Sequence, residues 1–320
     1  MEPVRVGIIG RGFGARVVAP VFGKTEGCEV VDVVSPRDGA AVRDLCRRAD
    51  VDLVSVHSPP FLHLDHVRQA VEAGHAVACD KPFGRDADEA AAMCDLAREA
   101  GVVNIVNFEF RYDAVREQLR TLVQDGAVGV PQHVQSTMFT AISRTPLRPY
   151  GWLFDRERGG GWIGAFGSHV VDFARWTFGE IVGVSAELRT TVAERPDTDG
   201  TLRPCTAEDG FVATLRSEGG VTITIDTSFA SPVDRPASTV VIGTDGVLET
   251  DGSERITLHT ATGEPQDFEP NPEGADVYAL PMQRWAAAVR DAVRAGEVEP
   301  GTPTFADGLA CARVMDRMRG

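Results

Sequence analysis

A glycine-rich turn directly after the first strand-like segment constrains the fold of this chain more than any other feature of its sequence. The β-branched run at residues 4–9 leads into Gly10-Arg11-Gly12-Phe13-Gly14-Ala15, and a helical pattern follows. In this strand–turn–helix setting, the pattern G-x-G-x-x-A is typical of a dinucleotide-binding unit, although the glycines alone would be a weak signal. The alternative is a glycine turn in an unrelated α/β protein.

Each position of the turn has a physical role in such a unit. Gly10 permits the tight turn, Gly12 lets the backbone approach a pyrophosphate, and Ala15 is small enough for close helix–strand packing. The N-terminus of the following helix then presents N–H groups and a partial positive charge to the anion. We therefore predict that a nicotinamide dinucleotide contacts Gly10, Gly12, Phe13 and Ala15.

Strand-like and helix-like segments alternate over the first hundred residues. Helical patterns at 64–73 and 87–100 separate short apolar runs, which occupy residues 30–34, 53–57, 75–79 and 102–108. Alternation of this kind predicts a parallel sheet with helices on both faces, because parallel strands need crossover connections. The fold class expected here is α/β, with an N-terminal Rossmann domain over residues 1–110.

The rhythm changes after about residue 110. A helix is predicted at 114–124, and the turns Glu218-Gly219-Gly220 and Asp245-Gly246 indicate hairpins. The strand-like segments are 132–140, 182–192, 210–216, 221–228, 238–243 and 255–259. Residues 194–207 are rich in Asp, Pro, Gly and Thr and are expected to form an exposed loop. Residues 111–320 should therefore form an α+β substrate domain with a large, mostly antiparallel open sheet. Its terminal helical patterns, within 282–320, could pack back on the Rossmann domain.

Composition limits the class of protein. The 320 residues exceed what one hydrophobic core usually serves, and the formal charge of −15 disfavours partners with phosphate backbones or anionic lipid. No apolar stretch approaches the length that spans a bilayer, and we expect no signal peptide before the first strand. The six scattered cysteines lack zinc spacing, which favours reduced thiols in a cytoplasm over disulfides or a metal site.

The end of the second strand bears on which dinucleotide binds. An acidic residue there would accept hydrogen bonds from the adenosine ribose and favour NAD. Ser35 stands in that place, and Arg37 could reach a 2′-phosphate, so the sequence slightly favours NADP. Asp38 could reverse this preference, and Arg37 could equally be a solvated surface charge.

Polar residues follow the third and fourth strands. In an open parallel sheet, ligands bind at the carboxyl ends of the strands, so Ser58, His63 and Lys81 should face one crevice. A lysine beside a cofactor can serve as an acid, a base or a substrate anchor. From the residues alone, Lys81 is equally consistent with an exposed turn.

Motifs spread over most of the chain resemble those of the Gfo/Idh/MocA family, which includes glucose–fructose oxidoreductase and inositol dehydrogenases. They comprise the glycine turn, Ser58-Pro59 with His63, Asp80-Lys81-Pro82 in place of the family's Glu-Lys-Pro, Asn107-Phe108-Glu109-Phe110-Arg111, Gly159-Gly160-Gly161, and Gly167-Ser168-His169-Val170-Val171-Asp172. The resemblance implies a hydride transfer between nicotinamide and a sugar or polyol carbon. It also implies a homodimer or homotetramer built through the C-terminal sheet, and a cis peptide before Pro82.

The resemblance assigns roles to individual residues of this chain. Lys81 would hold the reacting oxygen, and His169 would exchange its proton. Ser58, Pro59, His63, Asp80, Lys81 and Pro82 would contact the cofactor. If the segment from Trp162 onward is helical, positions 165, 169, 172 and 176 share a face, so Asp172 could orient His169. A core histidine beside an ordinary helix charge is the alternative.

Two further side chains are expected to touch substrate. Arg111 could clamp a substrate oxygen, a nicotinamide ribose or a carboxylate, and Trp152, with Tyr150, could stack on a sugar face or on nicotinamide. A hydrophobic hinge between the domains is an equally plausible role for Tyr150 and Trp152. Phe173 and Trp176 are expected in the core.

Two departures from the family pattern keep the reaction open. Position 165 is Ala, where redox-active relatives usually carry Asp, and the short span between Ser35 and Val51 leaves no room for an extra edge strand. A dehydrogenase or reductase is the leading hypothesis. A lyase or glycosidase that uses transient oxidation without net redox change, and a non-catalytic dinucleotide or sugar sensor, remain alternatives.

Overall fold

The computed structural model describes residues 2–252, 254–271, 276 and 279–320. The chain divides into two compact units. The first unit comprises Met1–Tyr112 and Tyr278–Arg313, and the second comprises Asp113–Val277 and Val314–Gly320.

The first unit is built on a parallel sheet of five strands in the order β2-β1-β3-β4-β5. The strands are β1 (Val4–Ile9), β2 (Cys28–Val34), β3 (Leu53–Val56), β4 (Ala76–Cys79) and β5 (Asn104–Val106). The central strands β1 and β3 are mostly apolar and mostly buried, as a sheet covered on both faces requires, with Arg5 and Ser55 as their polar members. The predicted Rossmann architecture is confirmed.

Eight α-helices are present in the described residues. They are α1 (Ala19–Lys24), α2 (Gly39–Cys46), α3 (His63–Glu72), α4 (Ala87–Ala100), α5 (Ala114–Gln124), α6 (Ser168–Phe178), α7 (Ala279–Ala295) and α8 (Phe305–Arg319). A π-helical turn, Gly14–Val18, continues into α1, and a second one, Ile163–Gly167, continues into α6.

Helices cover both faces of the parallel sheet. Val6 and Ile8 on β1 pack with side chains of α1 and α7 in one buried cluster, which includes the fully buried Trp285. Gly7 points the other way, where a Cβ would lie 2.8 Å from a methyl carbon of Leu45 on α2. Only α2 occupies the connection between β2 and β3, so β2 is an edge strand, as the short spacing predicts.

The second unit contains a sheet of eight strands in the order β15-β14-β13-β12-β6-β11-β10-β7. Its members are β6 (Pro131–Phe139), β7 (Ile181–Arg189), β10 (Gly210–Ser217), β11 (Thr222–Ser228), β12 (Arg235–Gly243), β13 (Gly246–Asp251), β14 (Arg255–Thr260) and β15 (Gln266–Phe268). Only the β6–β11 pairing is parallel. The predicted large, mostly antiparallel open sheet is confirmed.

One face of this sheet is buried and the other is exposed. Along β10, Phe211, Ala213 and Leu215 are buried while the residues between them are exposed, the alternation expected of a half-covered strand. Helix α6 packs on the buried face, where the ring of Phe211 closely approaches Gly167.

The structure corrects two predictions in the second unit. Residues 194–207, expected to be a loop, contain the two-stranded sheet of β8 (Glu194–Pro196) and β9 (Leu202–Pro204). The segment from Trp162 is helical, but it begins with the π-helical turn, so the regular α-helical spacing holds only from Ser168 onward.

Candidate functional site

The glycine turn in the first unit has a conformation that only glycine adopts readily. Gly10 has φ of +157°, and a Cβ there would lie 2.7 Å from the carbonyl oxygen of His57. Its N–H donates to the carbonyl oxygen of Val34 (3.0 Å). The turn is therefore held between the carboxyl ends of β2 and β3, which is where a Rossmann fold places the dinucleotide.

The space above the turn fits a pyrophosphate. A Cβ on Gly12 would have no heavy atom within 4 Å, so the backbone is open to a ligand there. The continuous helical segment that begins at Gly14 directs its first N–H groups towards the turn. Phe13 is 37% exposed, with its ring centre 5.9 Å from that of His57, and Ala15 is half-buried.

In the loop after β2, the Arg37 side chain is exposed, whereas the Asp38 carboxylate is occupied by backbone hydrogen bonds. Ser35 Oγ accepts from the backbone N–H of Arg37 (3.3 Å), and the Arg37 side chain is exposed. The carboxylate of Asp38 accepts from the N–H groups of Ala40 and Ala41 (3.2 and 3.1 Å), so it caps α2.

Two buried histidines of α3 support the turn that follows β3. The Nε2 of His63 lies 2.7 Å from the carbonyl oxygen of Ser58, and the Nδ1 of His66 lies 3.0 Å from Ser58 Oγ. His63 is fully buried, and this burial lowers its pKa to about 4. The His63 side chain therefore holds the Ser58 backbone from below, while Pro59 remains half-buried beside it.

Asp80 follows β4 and is tied on both carboxylate oxygens. Oδ1 accepts from the backbone N–H of Lys81 (3.0 Å) and from Asn107 Nδ2 (3.2 Å), and Oδ2 lies 3.2 Å from His57 Nδ1. Burial alone would raise the pKa of Asp80, but the hydrogen bond from His57 and the nearby positive charges lower it below its usual value.

Lys81 is half-buried and precedes Pro82 through a cis peptide bond. The chain contains only two lysines, Lys24 and Lys81, among 32 basic residues. Arginine is thus the usual cation of this protein, and a primary amine stands at position 81. The two side chains are not interchangeable, because the lysine amine can exchange a proton while the guanidinium remains charged.

Three polar residues of this region were not predicted as site residues: Ser55, His57 and Asn107. A signal was present, because His57, Asp80 and Asn107 directly follow or closely follow β3, β4 and β5. Polar side chains at the carboxyl ends of three adjacent parallel strands necessarily converge.

Arg111 lies in a structural ion pair of the first unit. It is 6% exposed, and its guanidinium donates to Asp307 Oδ1 (2.8 Å) and to the carbonyl oxygen of Gly301 (3.1 Å). Both of these contacts tie the guanidinium to the segment around the start of α8.

In the second unit, His169 and Asp172 lie on α6 at a three-residue spacing, which puts them on one face of the helix. Both are buried, at 4% and 2% exposure. Ala165 lies in the preceding π-helical turn, so its helical phase relative to His169 differs from that of a regular α-helix.

A buried carboxylate supports the start of this helical segment. Glu208 Oε1 accepts from the N–H of Ile163 (3.1 Å) and pairs with Arg319 (3.4 Å). Gly161, with φ of +107°, passes so close that a Cβ would collide with the Glu208 carboxylate. Close packing against Glu208 therefore explains why a glycine stands at position 161.

The aromatic residues near the glycine run differ in burial. Trp152 and Tyr150 are half-buried, and burial beside Asp155 raises the pKa of Tyr150. Phe173 and Trp176, expected in the core, are half-buried, and Trp176 lies under the guanidinium of Arg120 at 4.5 Å.

Within the described part of the chain, no cluster of His, Cys, Asp and Glu has the geometry of a metal site. Among the helices described, none is both long and apolar enough to cross a membrane.

Two family models match the chain. Residues 4–108 match the model described as oxidoreductase family, NAD-binding Rossmann fold, and residues 117–249 match the GFO/IDH/MocA C-terminal domain. Together these matches cover the turn, the Lys81 segment and the helix that carries His169.

Several relatives of the chain are named as sugar dehydrogenases. The chain is 30% identical over 252 residues to D-glucoside 3-dehydrogenase of Escherichia coli, covering 72% of this chain and 71% of that protein. It is 26% identical over 306 residues to levoglucosan dehydrogenase of Pseudarthrobacter phenanthrenivorans, covering 86% and 78%. An uncharacterised oxidoreductase of Synechocystis is 31% identical over 227 residues, and this alignment spans 66% of the chain and only 61% of that relative.

The fold is also that of solved structures. Levoglucosan dehydrogenase in complex with NADH and L-sorbose superposes with a TM-score of 0.88 at 21% identity, over 100% of this chain and 96% of that one. An oxidoreductase domain protein from Kribbella flavida has the same score at 25% identity and the same coverage.

Proposed function

Because the chain belongs to the Gfo/Idh/MocA family of oxidoreductases, we propose that it transfers a hydride between NAD(P) and a carbon of a sugar, a polyol or a related hydroxy or keto compound. The sugar class is supported by relatives named for D-glucosides and levoglucosan. The single observation that carries the proposal is Lys81, an amine at the carboxyl end of β4 beside an anchored carboxylate.

The cofactor is held by the turn at Gly10 and Gly12, with Phe13 and Ala15 beside it. When bound, the dinucleotide supplies the hydride donor or acceptor. The nicotinamide end is lined by Ser58, Pro59, Asp80, Lys81 and Pro82. His63 contributes by holding the backbone of Ser58. NADP is slightly favoured over NAD, because Ser35 and the exposed Arg37 stand where a 2′-phosphate would lie and Asp38 is engaged as a helix cap.

The chain's own groups divide the work. Lys81 binds the reacting oxygen of the substrate and orients it, and His169 takes up or returns its proton, with Asp172 behind it on α6. Trp152 stacks on a sugar face. Arg111, whose guanidinium is anchored against Asp307, contacts a substrate oxygen from that position.

The organisation proposed for the whole protein follows the same premise. Residues 1–110 form the dinucleotide-binding domain and residues 111–320 the substrate domain, with α7 and the first part of α8 associated with the first. The protein assembles as a homodimer or homotetramer through its eight-stranded sheet, whose exposed positions include Val182 and Val212. Six free cysteines support a reducing cytoplasm as its compartment.

The test combines binding with turnover. NADPH and NADH are titrated by fluorescence, and the tighter dinucleotide, in its oxidised or reduced form, is screened against sugars, polyols and keto-sugars. We expect Lys81→Ala to abolish turnover and Lys24→Ala to leave it unchanged, with both variants still binding dinucleotide. Bound dinucleotide without turnover across the panel would contradict the proposal.

One observation keeps a second function in view. Ala165 offers no carboxylate to share the proton transfer, which suits a reaction in which a hydroxyl is oxidised only transiently and the hydride returns after an elimination or glycoside cleavage. Product formation without net accumulation of NAD(P)H would identify that function.

A further inference from the structure

A buried polar network joins the carboxyl ends of three strands directly beneath Lys81. His57 after β3, Asp80 after β4 and Asn107 after β5 meet at the Asp80 carboxylate, with the distances of 3.2 Å given above. The backbone N–H of Lys81 donates to the same carboxylate (3.0 Å). The group that precedes the proposed catalytic amine is thus fixed from three sides.

The other side of the His57 ring is fixed as well. Its Nε2 lies 2.8 Å from Ser55 Oγ, and the His57 side chain is completely buried. The ring thus has a polar neighbour on each nitrogen: Nδ1 faces the Asp80 carboxylate at 3.2 Å, and Nε2 shares a hydrogen bond with the Ser55 hydroxyl. Ser55 is fully buried within β3, which excludes it as a nucleophile despite the Ser–His–Asp order.

The network offsets the cost of burying the charged Asp80 carboxylate. The Asp80 side chain is only 13% exposed, and a desolvated carboxylate is costly unless donors surround it. The His57 ring lies against Oδ2, with Nδ1 at 3.2 Å, whereas the Lys81 N–H and Asn107 donate to Oδ1. Removing His57 therefore takes away the ring that lies against Asp80 Oδ2. The carboxylate can then rotate about its side-chain bond.

We propose that His57 is a positioning residue for Lys81: by holding the Asp80 carboxylate in one orientation, it fixes the backbone from which the Lys81 amine extends. This inference deepens the proposed function and rests on it for its catalytic meaning. His57 does not touch substrate in this account, and its effect passes entirely through Asp80.

Four variants test the inference. His57→Leu removes both ring nitrogens, His57→Gln keeps an amide donor, and Asp80→Asn removes the charge with little change of shape. His75→Leu is the matched control, because His75 is also a histidine of the first unit, and its Nε2 bonds the Cys46 carbonyl oxygen (2.7 Å) at the opposite end of β4.

The first readout needs no turnover. With only two lysines in the chain, lysine labelled with ¹³C in a Lys24→Arg background gives one lysine side-chain signal, that of Lys81. We expect its chemical shift to move in His57→Leu and Asp80→Asn, to move less in His57→Gln, and to stay in place in His75→Leu. An unmoved Lys81 signal in folded His57→Leu and Asp80→Asn overturns the inference, whether or not any sugar is a substrate.

The second readout is the pH dependence of kcat/KM for the sugar. The titratable groups that face Asp80 in the described residues are His57, His63, Lys81 and Cys79. Loss of His57 removes a hydrogen bond that lowers the pKa of Asp80, so the acidic limb should move to higher pH in His57→Leu and disappear in Asp80→Asn.

At the optimum, kcat/KM should fall about 10- to 100-fold in His57→Leu, with partial rescue by His57→Gln and a dinucleotide Kd within about threefold of wild type. Equal kcat/KM and an identical pH profile in wild type and His57→Leu would overturn the inference. A wild-type protein with no turnover refutes the proposed function instead, and the Lys81 signal then decides the role of His57 alone.

Discussion

At the scale of single residues, the first glycine of the turn is needed for folding and the second for binding. Gly10 and Gly12 belong to one motif, yet their surroundings differ: a Cβ on Gly10 would meet the His57 carbonyl oxygen, and a Cβ on Gly12 would meet nothing within 4 Å. The first glycine is required by the protein's own backbone. The second is required only if a ligand lies against it.

We therefore expect Gly12→Ala to fold normally and to weaken dinucleotide binding at least about tenfold, which is about 1.4 kcal/mol. Gly10→Ala should lower stability by about 1–3 kcal/mol as well, because a side chain is strained at φ of +157°. Gly23→Ala, on the exposed side of α1 with no atom within 4 Å of its Cβ, is the control and should change neither property adversely. Fluorescence titration and urea unfolding measure both; unchanged binding in Gly12→Ala would count against a pyrophosphate there.

At the scale of elements, the Rossmann unit was predictable and the second unit less so. The alternation of apolar runs and helical patterns predicts β1–β5, and α4 and α5 fall where their periodicity puts them. The β8–β9 pair was missed because its sequence is polar and Pro-rich. It is held instead by the fully buried Arg195, whose guanidinium lies 3.9 Å from the ring of Phe154.

The sequence predicted where the candidate site residues lie along the chain, but not which other side chains contact them. Strand ends predicted where Ser58 and Lys81 lie, because backbone topology fixes those places. The Arg111–Asp307 pair joins residues 196 apart, and no local periodicity reveals such a contact. The contact of His57 with Asp80 was missed although strand topology indicates it, because both residues directly follow adjacent parallel strands.

The cap of α2 gives a prediction that also bears on cofactor choice. Asp38→Ala should cost about 1 kcal/mol of stability through the loss of the N-cap, without changing the ratio of NADH to NADPH affinity. Asp44→Ala, at an exposed position of the same helix, should cost less. Thermal unfolding and dinucleotide titration check this, and an altered affinity ratio in Asp38→Ala would mean that this carboxylate reaches the ribose.

The ion pair of Arg111 predicts a structural defect. Arg111→Met should destabilise the protein by about 1–3 kcal/mol, because it removes a buried guanidinium that pairs with Asp307 Oδ1 and donates to the carbonyl oxygen of Gly301. Arg98→Met, which breaks an exposed pair with Asp95, should have no measurable effect. Urea unfolding compares the two; a variant of Arg111 with wild-type stability and a raised KM would assign Arg111 to substrate binding alone.

At the scale of the whole molecule, stability should depend on pH through buried histidine. His63 has a folded pKa of about 4, below its unfolded value of 6.5, so the unfolded state binds more protons between these values. Its contribution is therefore complete above pH 6.5 and is lost as the pH falls towards 4.

From pH 7 to pH 5, His63 alone should cost the folded protein about 2 kcal/mol. We expect His63→Leu to reduce the difference in unfolding free energy between these pH values by that amount, and His75→Leu to leave it largely unchanged. Urea unfolding at both pH values is the measurement. An unreduced difference in His63→Leu would show that other groups govern acid stability.

The central claim is that this protein moves a hydride directly between a sugar carbon and a nicotinamide, with the Lys81 amine holding the oxygen. The most direct test uses a substrate sugar with deuterium on the reacting carbon and follows the label by mass spectrometry. We expect deuterium in the reduced dinucleotide with wild-type protein and Lys24→Arg, and none with Lys81→Arg. Deuterium lost to water, or transfer that Lys81→Arg supports as well as wild type, would contradict it.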